Sequence, residues 1–581
     1  MHRLGRPLFI LPLLLAFAAP THAQTPLRIE HLLRCGDLLA GESTEFCLTI
    51  QAPEAPLQVL IDGELIPAEA VRRDGSQLRL TLPARERGAP VWLRQGDEAS
   101  NPVWLTAGSS HVIAARPDEV VKSQEGISSY LDLVSVVIEE RYDGLREARR
   151  LAEKYGAEVV GAIPPLNTYQ LRLPADDLIE RDALVLRLGN ELQVDAVVIE
   201  ESGPEGEAES SSREPRASEW AANRFVDAVA FFRNRIPAKG DPVDTEPIRV
   251  GVIERNVDVD LPDFRRYRGA CATEDGHVCL YARDSREADG HGAIVAGILA
   301  AQRDERGLSG FLSALEPVGA GYEVIVDRNS DAGITANVAA SVNLVEDGVR
   351  VLNWSWGIHR VGTRDVQGEE VDSLIRSGIA MSGYEELLEE FFLWLRREHP
   401  DVVVVNSAGN GSTFSSADDY RLPSSFVTEQ LLVVGGHQRS ERRDLPVEHP
   451  DYAERRRSSN LDMRVDITAA ACTRAWTPDG KPGEVHCGTS YATPMVAGVV
   501  AAMTAINPAL EPEQMRELLR RSAMTIGRDS DFEPVEADDL TAPILPSERD
   551  YRLNDRDVGR SARLDMRKAL ELAVESRQYE R

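Results

Sequence analysis

Basic residues are the first shortage. The 581-residue chain sets 65 Lys and Arg against 95 Asp and Glu, a formal charge of -30. Binding to phosphate backbones or anionic lipid needs a basic surface, so neither nucleic acid nor a membrane surface is an expected partner. The sequence also has no CxxC pair and no HExxH string, which removes the zinc-ribbon and zincin readings, and no metal-ligand set is predicted. Long apolar runs are missing as well. The stretch Leu8–Ala19 is shorter than the roughly 20 residues that span a bilayer, and no later one exceeds it, so no retained membrane segment is predicted.

What is present is a chain with 42% hydrophobic residues, too long for one ordinary core and too apolar for disorder, so two or three domains are expected. Residues 1–23 combine a basic start (Arg3, Arg6), that apolar stretch and a small-residue exit ending at Ala23. This pattern is a secretory signal peptide and predicts a secreted or periplasmic protein. Gln24 follows, so no lipid-anchored cysteine is implied. The six cysteines fall into local pairs, Cys35 with Cys47, Cys271 with Cys279 and Cys472 with Cys487, which an oxidising compartment would close as disulfides. Buried free thiols are the alternative.

Three regions follow. Residues 24–107 carry short strand-like runs separated by turns such as Asp62-Gly63 and Asp74-Gly75, the pattern of a small antiparallel β-sandwich without a catalytic cluster. Residues 131–201 read as β-α-β-β-α-β, with strands at 134–140, 158–163, 169–173 and 194–200 and helices at 143–155 and 175–188, a ferredoxin-like order. Residues 202–218, rich in Ser, Glu, Pro and Gly, read as an exposed linker. From 219 to 575, aliphatic strands at 248–253, 349–352, 402–405 and 431–434 alternate with helices, which predicts an α/β domain with a mainly parallel sheet. One of those helices is expected from Tyr384 to Glu398, with Pro400 beyond it.

Three strings in this last region carry chemistry. Glycines flank His291 in Asp289-Gly290-His291-Gly292-Ala293-Ile294-Val295-Ala296-Gly297; Asn406-Ser407-Ala408-Gly409-Asn410-Gly411 follows a strand; and Ser490 opens a helix in Gly488-Thr489-Ser490-Tyr491-Ala492-Thr493-Pro494. Singly, each has an ordinary structural explanation: a histidine in a turn, a turn asparagine, a helix N-cap. Their joint occurrence at strand ends and helix starts of one sheet is not covered by those defaults.

Together these strings resemble the histidine, oxyanion-asparagine and serine motifs of the subtilisin-like serine proteases, the subtilases, over about residues 220–572. The resemblance implies a secreted serine endopeptidase acting on peptide or protein substrates. Ser490 would be the nucleophile, His291 its base, Asn410 an oxyanion donor, and Ser355-Trp356-Gly357 the end of a strand lining the substrate cleft. No cofactor is required for this chemistry; structural calcium is plausible by the resemblance, although no dense Asp/Asn loop is diagnostic of it. By position, residues 131–201 resemble an inhibitory propeptide, an intramolecular inhibitor of a zymogen released by cutting the linker; a permanent accessory domain is the other reading.

The acid departs from the pattern. Where the family has an aspartate, this strand delivers Glu254-Arg255-Asn256, while Asp258 falls out of register. One methylene moves a carboxylate by about 1.5 Å, and a misplacement of about 1 Å can cost ~100-fold in rate. Either Glu254 holds His291 and the chain is an active peptidase, or the chain is a catalytically impaired subtilase-like binding or scaffold protein. A third reading makes Glu254 itself the base, as in the sedolisins; the separate His291 motif argues against it. Specificity is not legible: Trp356 either narrows a subsite or simply packs, and the acidic charge is compatible with basic substrates without requiring them.

Overall fold

The aliphatic runs are neighbours in one ten-stranded sheet. In the computed structural model its order is Val278–Ala282, Tyr322–Val326, Ile248–Val252, Val349–Trp354, Val403–Ser407, Leu431–Arg439, Ile467–Ala470, Ala562–Arg563 and Met524–Thr525, with Ala453–Arg455 paired to Leu431–Arg439. The strands from Val278–Ala282 through Ala562–Arg563 run parallel in that order; the two remaining pairings are antiparallel. The described residues are 26–35, 43–54, 56–122, 128–202, 218–235, 246–268, 278–285, 290–302, 310–315, 321–328, 333–359, 374–410, 421–442, 444–456, 458–460, 464–476, 482–526 and 562–577. The signal-peptide segment 1–23, nearly all of the linker, Cys271 and Asp289 lie outside them.

Helices cover the sheet, which is why its central strands can be aliphatic at every position. Thr489–Ile506 packs on several central strands and on the helices His291–Ala300 and Met566–Ser576. It is long and apolar enough to cross a membrane, but 89% of that stretch is buried in the protein, as a core helix is. Gly333–Glu346 and Leu374–Glu398 form a second group that pack on each other. The latter begins ten residues before the expected Tyr384 and buries Leu387, Leu388, Phe391 and Leu395 completely.

Residues ahead of this domain form two further bodies. Strands Arg28–Cys35, Ser43–Gln51, Gln77–Pro83 and Val71–Asp74 make one antiparallel sheet; Gln58–Ile61, Ala89–Gln95 and their short partners make another, around a shared apolar core. The second body sets strand Ser128–Ile138 between Val194–Ser202 and Thr168–Arg172, with Glu158–Ile163 outside the latter. Its helices Gly144–Tyr155 and Leu178–Leu188 begin on the side chains of Asp143 and Asp177, which accept from backbone N–H groups two residues into each helix.

Both bodies are fastened to the large domain by buried polar groups. Asp347 accepts from Gly88 N (2.9 Å), Ala107 N (3.1 Å) and Trp104 Nε1 (2.8 Å). Strand Val194–Ser202 lies on the second helix group, where the Tyr384 hydroxyl donates to Ile199 O (2.5 Å) and the Glu200 carboxylate accepts from Thr335 N (3.2 Å). Gly383 is needed here, because a Cβ on it would stand 2.5 Å from Val197 O.

The cysteine pairing needs one correction. Cys35–Cys47 and Cys472–Cys487 are disulfides, but Cys279 is a buried free thiol. Cys279 lies in strand Val278–Ala282, buried in the core of the sheet domain, and its expected partner Cys271 lies outside the described residues.

Candidate active site

The site is assembled at the ends of parallel strands. Strand Ile248–Val252 is central in the sheet and delivers Glu254 two residues after it ends. The helix His291–Ala300 starts against that turn. Gly292 permits the approach, since a Cβ there would lie 2.3 Å from Asn256 O and 3.3 Å from Glu254 Cβ. Across this contact Glu254 Oε1 stands 2.9 Å from His291 Nδ1, both side chains largely enclosed. Asp258 turns elsewhere and accepts from Asp260 N at 2.9 Å.

Ser490 is the second residue of helix Thr489–Ile506, so its backbone N–H belongs to the first turn, which has no intrahelical acceptors. Pro494 lies four residues on and has no N–H, which frees the Ser490 carbonyl; the Ser355 hydroxyl donates to it at 2.8 Å. In return the Ser490 hydroxyl donates to Ser355 O at 3.2 Å. Tyr491 then lays its ring 5.4 Å from the His291 imidazole. The disulfide Cys472–Cys487 pins the hairpin that enters this helix one residue before Gly488.

Asn410 follows strand Val403–Ser407 through Gly409, whose φ of +100° favours glycine. Its Oδ1 accepts from Thr489 N (2.9 Å) and Thr489 Oγ1 (3.2 Å), which leaves Nδ2 as the donor beside the Ser490 helix start. The Gly409 N–H donates to Thr489 Oγ1 at 3.1 Å, so Thr489 holds the loop from both sides. Asn460, fully buried, donates its side chain to Ala408 O (3.0 Å) and its N–H to Gly409 O (2.8 Å).

The expected cleft strand ends early. Regular pairing stops at Trp354, and Ser355, Trp356 and Gly357 continue beyond it. The reason is Asn406, whose Nδ2 donates to both Trp354 O (2.9 Å) and Trp356 O (2.8 Å) and bends the chain round itself. Trp356 packs on Trp354 at 4.9 Å between ring centroids. Among the described residues, Gly357 has no backbone hydrogen bond.

Sequence reasoning missed Thr489, Asn460, Arg421 and His486. His486 sits across Tyr491 from the site, 6.3 Å between rings. Burial lowers its pKa; Glu484 opposes that and the neighbouring His291 adds to it. Thr489 stands in the serine string; the others have no local signal and enter by tertiary contact. Among the described residues no cluster of three or more His, Cys, Asp or Glu could hold a metal ion.

Comparisons with known proteins bear on the family of this chain. The subtilase family model, Peptidase_S8, matches residues 246–559, more than half of the chain. A probable subtilase-type serine protease of Deinococcus radiodurans is 24% identical over 473 residues, covering 77% of this chain and 59% of that protein, so the match takes in less than two thirds of the relative's length. Subtilisin DY of Bacillus licheniformis is 22% identical over 281 residues, covering 48% of this chain and 85% of the relative. The epidermin leader peptide processing serine protease of Staphylococcus aureus superposes with a TM-score of 0.47 at 16% identity, over 76% of this chain and 99% of its own. On the family match, the chain belongs to the subtilase family.

Proposed function

We propose that this protein is a secreted or periplasmic serine endopeptidase that uses Ser490, His291 and Glu254, with Asn410 and the Ser490 N–H as oxyanion donors. The observation that carries the reading is the 2.9 Å contact between Glu254 Oε1 and His291 Nδ1. A carboxylate on Nδ1 fixes the tautomer with the proton there and leaves Nε2 as the base. The Ser490 hydroxyl, released from Ser355 O by rotation about its Cα–Cβ bond, gives its proton to Nε2 as Oγ attacks the scissile carbonyl. Asn410 Nδ2 and the Ser490 N–H then stabilise the oxyanion, His291 protonates the leaving amine, and water, activated by the same base, hydrolyses the acyl-enzyme. Gly357, whose backbone makes no hydrogen bond among the described residues, would pair with extended substrate.

The binding-protein alternative rested on the extra methylene of Glu254, and a contact at hydrogen-bond distance removes that motive. The same contact argues against Glu254 acting directly on Ser490. Purified protein should degrade an unfolded protein substrate, and Ser490→Ala should abolish this; wild type as inert as the variant would refute the proposal.

Residues 24–107 are proposed as a β-sandwich and residues 131–201 as a ferredoxin-like propeptide-type domain. Support comes from the latter's strand order and its seating on helices Gly333–Glu346 and Leu374–Glu398 of the catalytic domain. The chain would be made as a zymogen, with cleavage in 202–218 and two disulfides formed during export.

A further inference from the structure

Arg421 is the most deeply enclosed arginine near the candidate site, only 4% exposed. Its NH1 donates to Ser407 O, and more distantly to Asn406 Oδ1 and Ser424 Oγ, both at 3.5 Å; its NH2 donates to Ser407 Oγ at 3.0 Å. All these acceptors are neutral. Among the described residues Arg421 makes no ion pair, and its hydrogen bonds leave from NH1 and NH2. A buried cation without a counter-charge is costly unless something supplies one. Burial alone brings its pKa down to about 9, so it stays protonated at neutral pH.

Its position identifies the supplier. A Cβ on Gly357 would stand 2.0 Å from Arg421 Cζ and 2.5 Å from Nε; a Cβ on Gly409 would stand 2.7 Å from Cδ and 3.0 Å from Nε. The guanidinium stem therefore runs between the segment proposed to pair with substrate and the segment carrying Asn410. On the serine-peptidase reading, a substrate whose carbonyl oxygen is held by Asn410 and the Ser490 N–H, and whose backbone pairs with Gly357, would direct the side chain of that same residue between these two segments. Both walls are glycine, and the charged group between them is Arg421.

We infer that Arg421 is a specificity-determining residue, selecting substrates with an aspartate or glutamate side chain at the residue that contributes the scissile carbonyl. The inference rests on the serine-peptidase reading above. It runs against the overall charge of -30, because a contact inside the cleft outweighs a screened surface field.

The test uses the processed full-length protein and peptides that differ only at that residue, with Glu, Asp, Gln, Leu, Phe or Lys. A charge-assisted contact predicts kcat/KM roughly 10- to 100-fold higher for Glu than for isosteric Gln. Arg421→Gln should erase the Glu-over-Gln ratio and Arg421→Lys should keep part of it. Should the Gln variant not fold, the wild-type ratio still decides, since it should collapse below about pH 4 as the substrate carboxyl is protonated. Cleavage with no acidic preference, or a preference unchanged in Arg421→Gln, overturns the inference. An enzyme whose Ser490 reacts with a fluorophosphonate yet cleaves no acidic peptide overturns it while the peptidase reading stands. Absence of that reaction overturns both.

Discussion

Glu254 reaches His291 across the first turn of a helix, Oε1 to Nδ1 at 2.9 Å, because Gly292 lets the turn at 254–256 sit directly on that helix. The backbone is set for the longer acid. Glu254→Asp should withdraw the carboxylate by about 1.5 Å and lower kcat by ~10²-fold. Glu254→Gln should cost more, on the order of 10⁴-fold, because an amide can donate to Nδ1 and favours the wrong tautomer. Steady-state kinetics of both variants check this; an Asp variant as active as wild type would contradict it.

In the proposed mechanism Asn410 stabilises charge that exists only during reaction. Asn410→Ala should therefore lower kcat by ~10²–10³-fold with KM little changed. The substitution also leaves the Thr489 N–H without its acceptor, so thermal unfolding measured alongside separates a local loosening from the kinetic loss.

How far the site was legible depends on where each residue gets its partners. His291, Asn410 and Ser490 stand in short strings whose glycines set the local backbone, so they stood out as candidates in the sequence. Arg421 and Asn460 owe their roles to Gly357, Gly409 and Ala408, residues distant from them in sequence, and nothing near either signals it. The long helix was read as starting at Tyr384 because the run of large apolar residues starts there; ahead of it the helix buries Ala380 and Met381 in the core and sets Gly383 against Val197 of strand Val194–Ser202, contacts with no local signal. Cys279 was paired by proximity along the chain, whereas its burial comes from its strand's place in a sheet covered on both faces, which has no signal beside it in the sequence.

Glu200 makes docking of the 131–201 segment pH-dependent. Burial pushes its carboxyl up to about 7, against the opposing hydrogen bonds from Thr335. The docked state thus favours the protonated acid. Docking is fully supported below about pH 4.5 and weakens as pH rises through about 7. Protein cut in the linker should hold its N-terminal fragment more tightly at pH 5 than at pH 8, and Glu200→Gln should flatten the difference. Gel filtration at the two pH values reads this out.

Processing should depend on the chain's own chemistry. Wild type should lose the segment ahead of residue 218, whereas Ser490→Ala should keep it, as N-terminal sequencing of both would show. Identical, uncut N-termini would sink the zymogen reading.

The disulfide Cys472–Cys487 closes a loop with a sequence separation of 15 next to the Ser490 helix. Replacing both cysteines by serine should cost about 3 kcal/mol of stability on the loop-entropy estimate, measured by denaturant unfolding. Replacing Cys279 by serine should leave the disulfide count at two, measured by mass after alkylation.

The central claim is that Ser490 is an activated nucleophile. Incubation with a fluorophosphonate followed by peptide mapping tests it most directly. The account predicts one covalent adduct, on Ser490, lost in Ser490→Ala and strongly slowed in Glu254→Gln; a folded wild type that forms no adduct at Ser490 would contradict it.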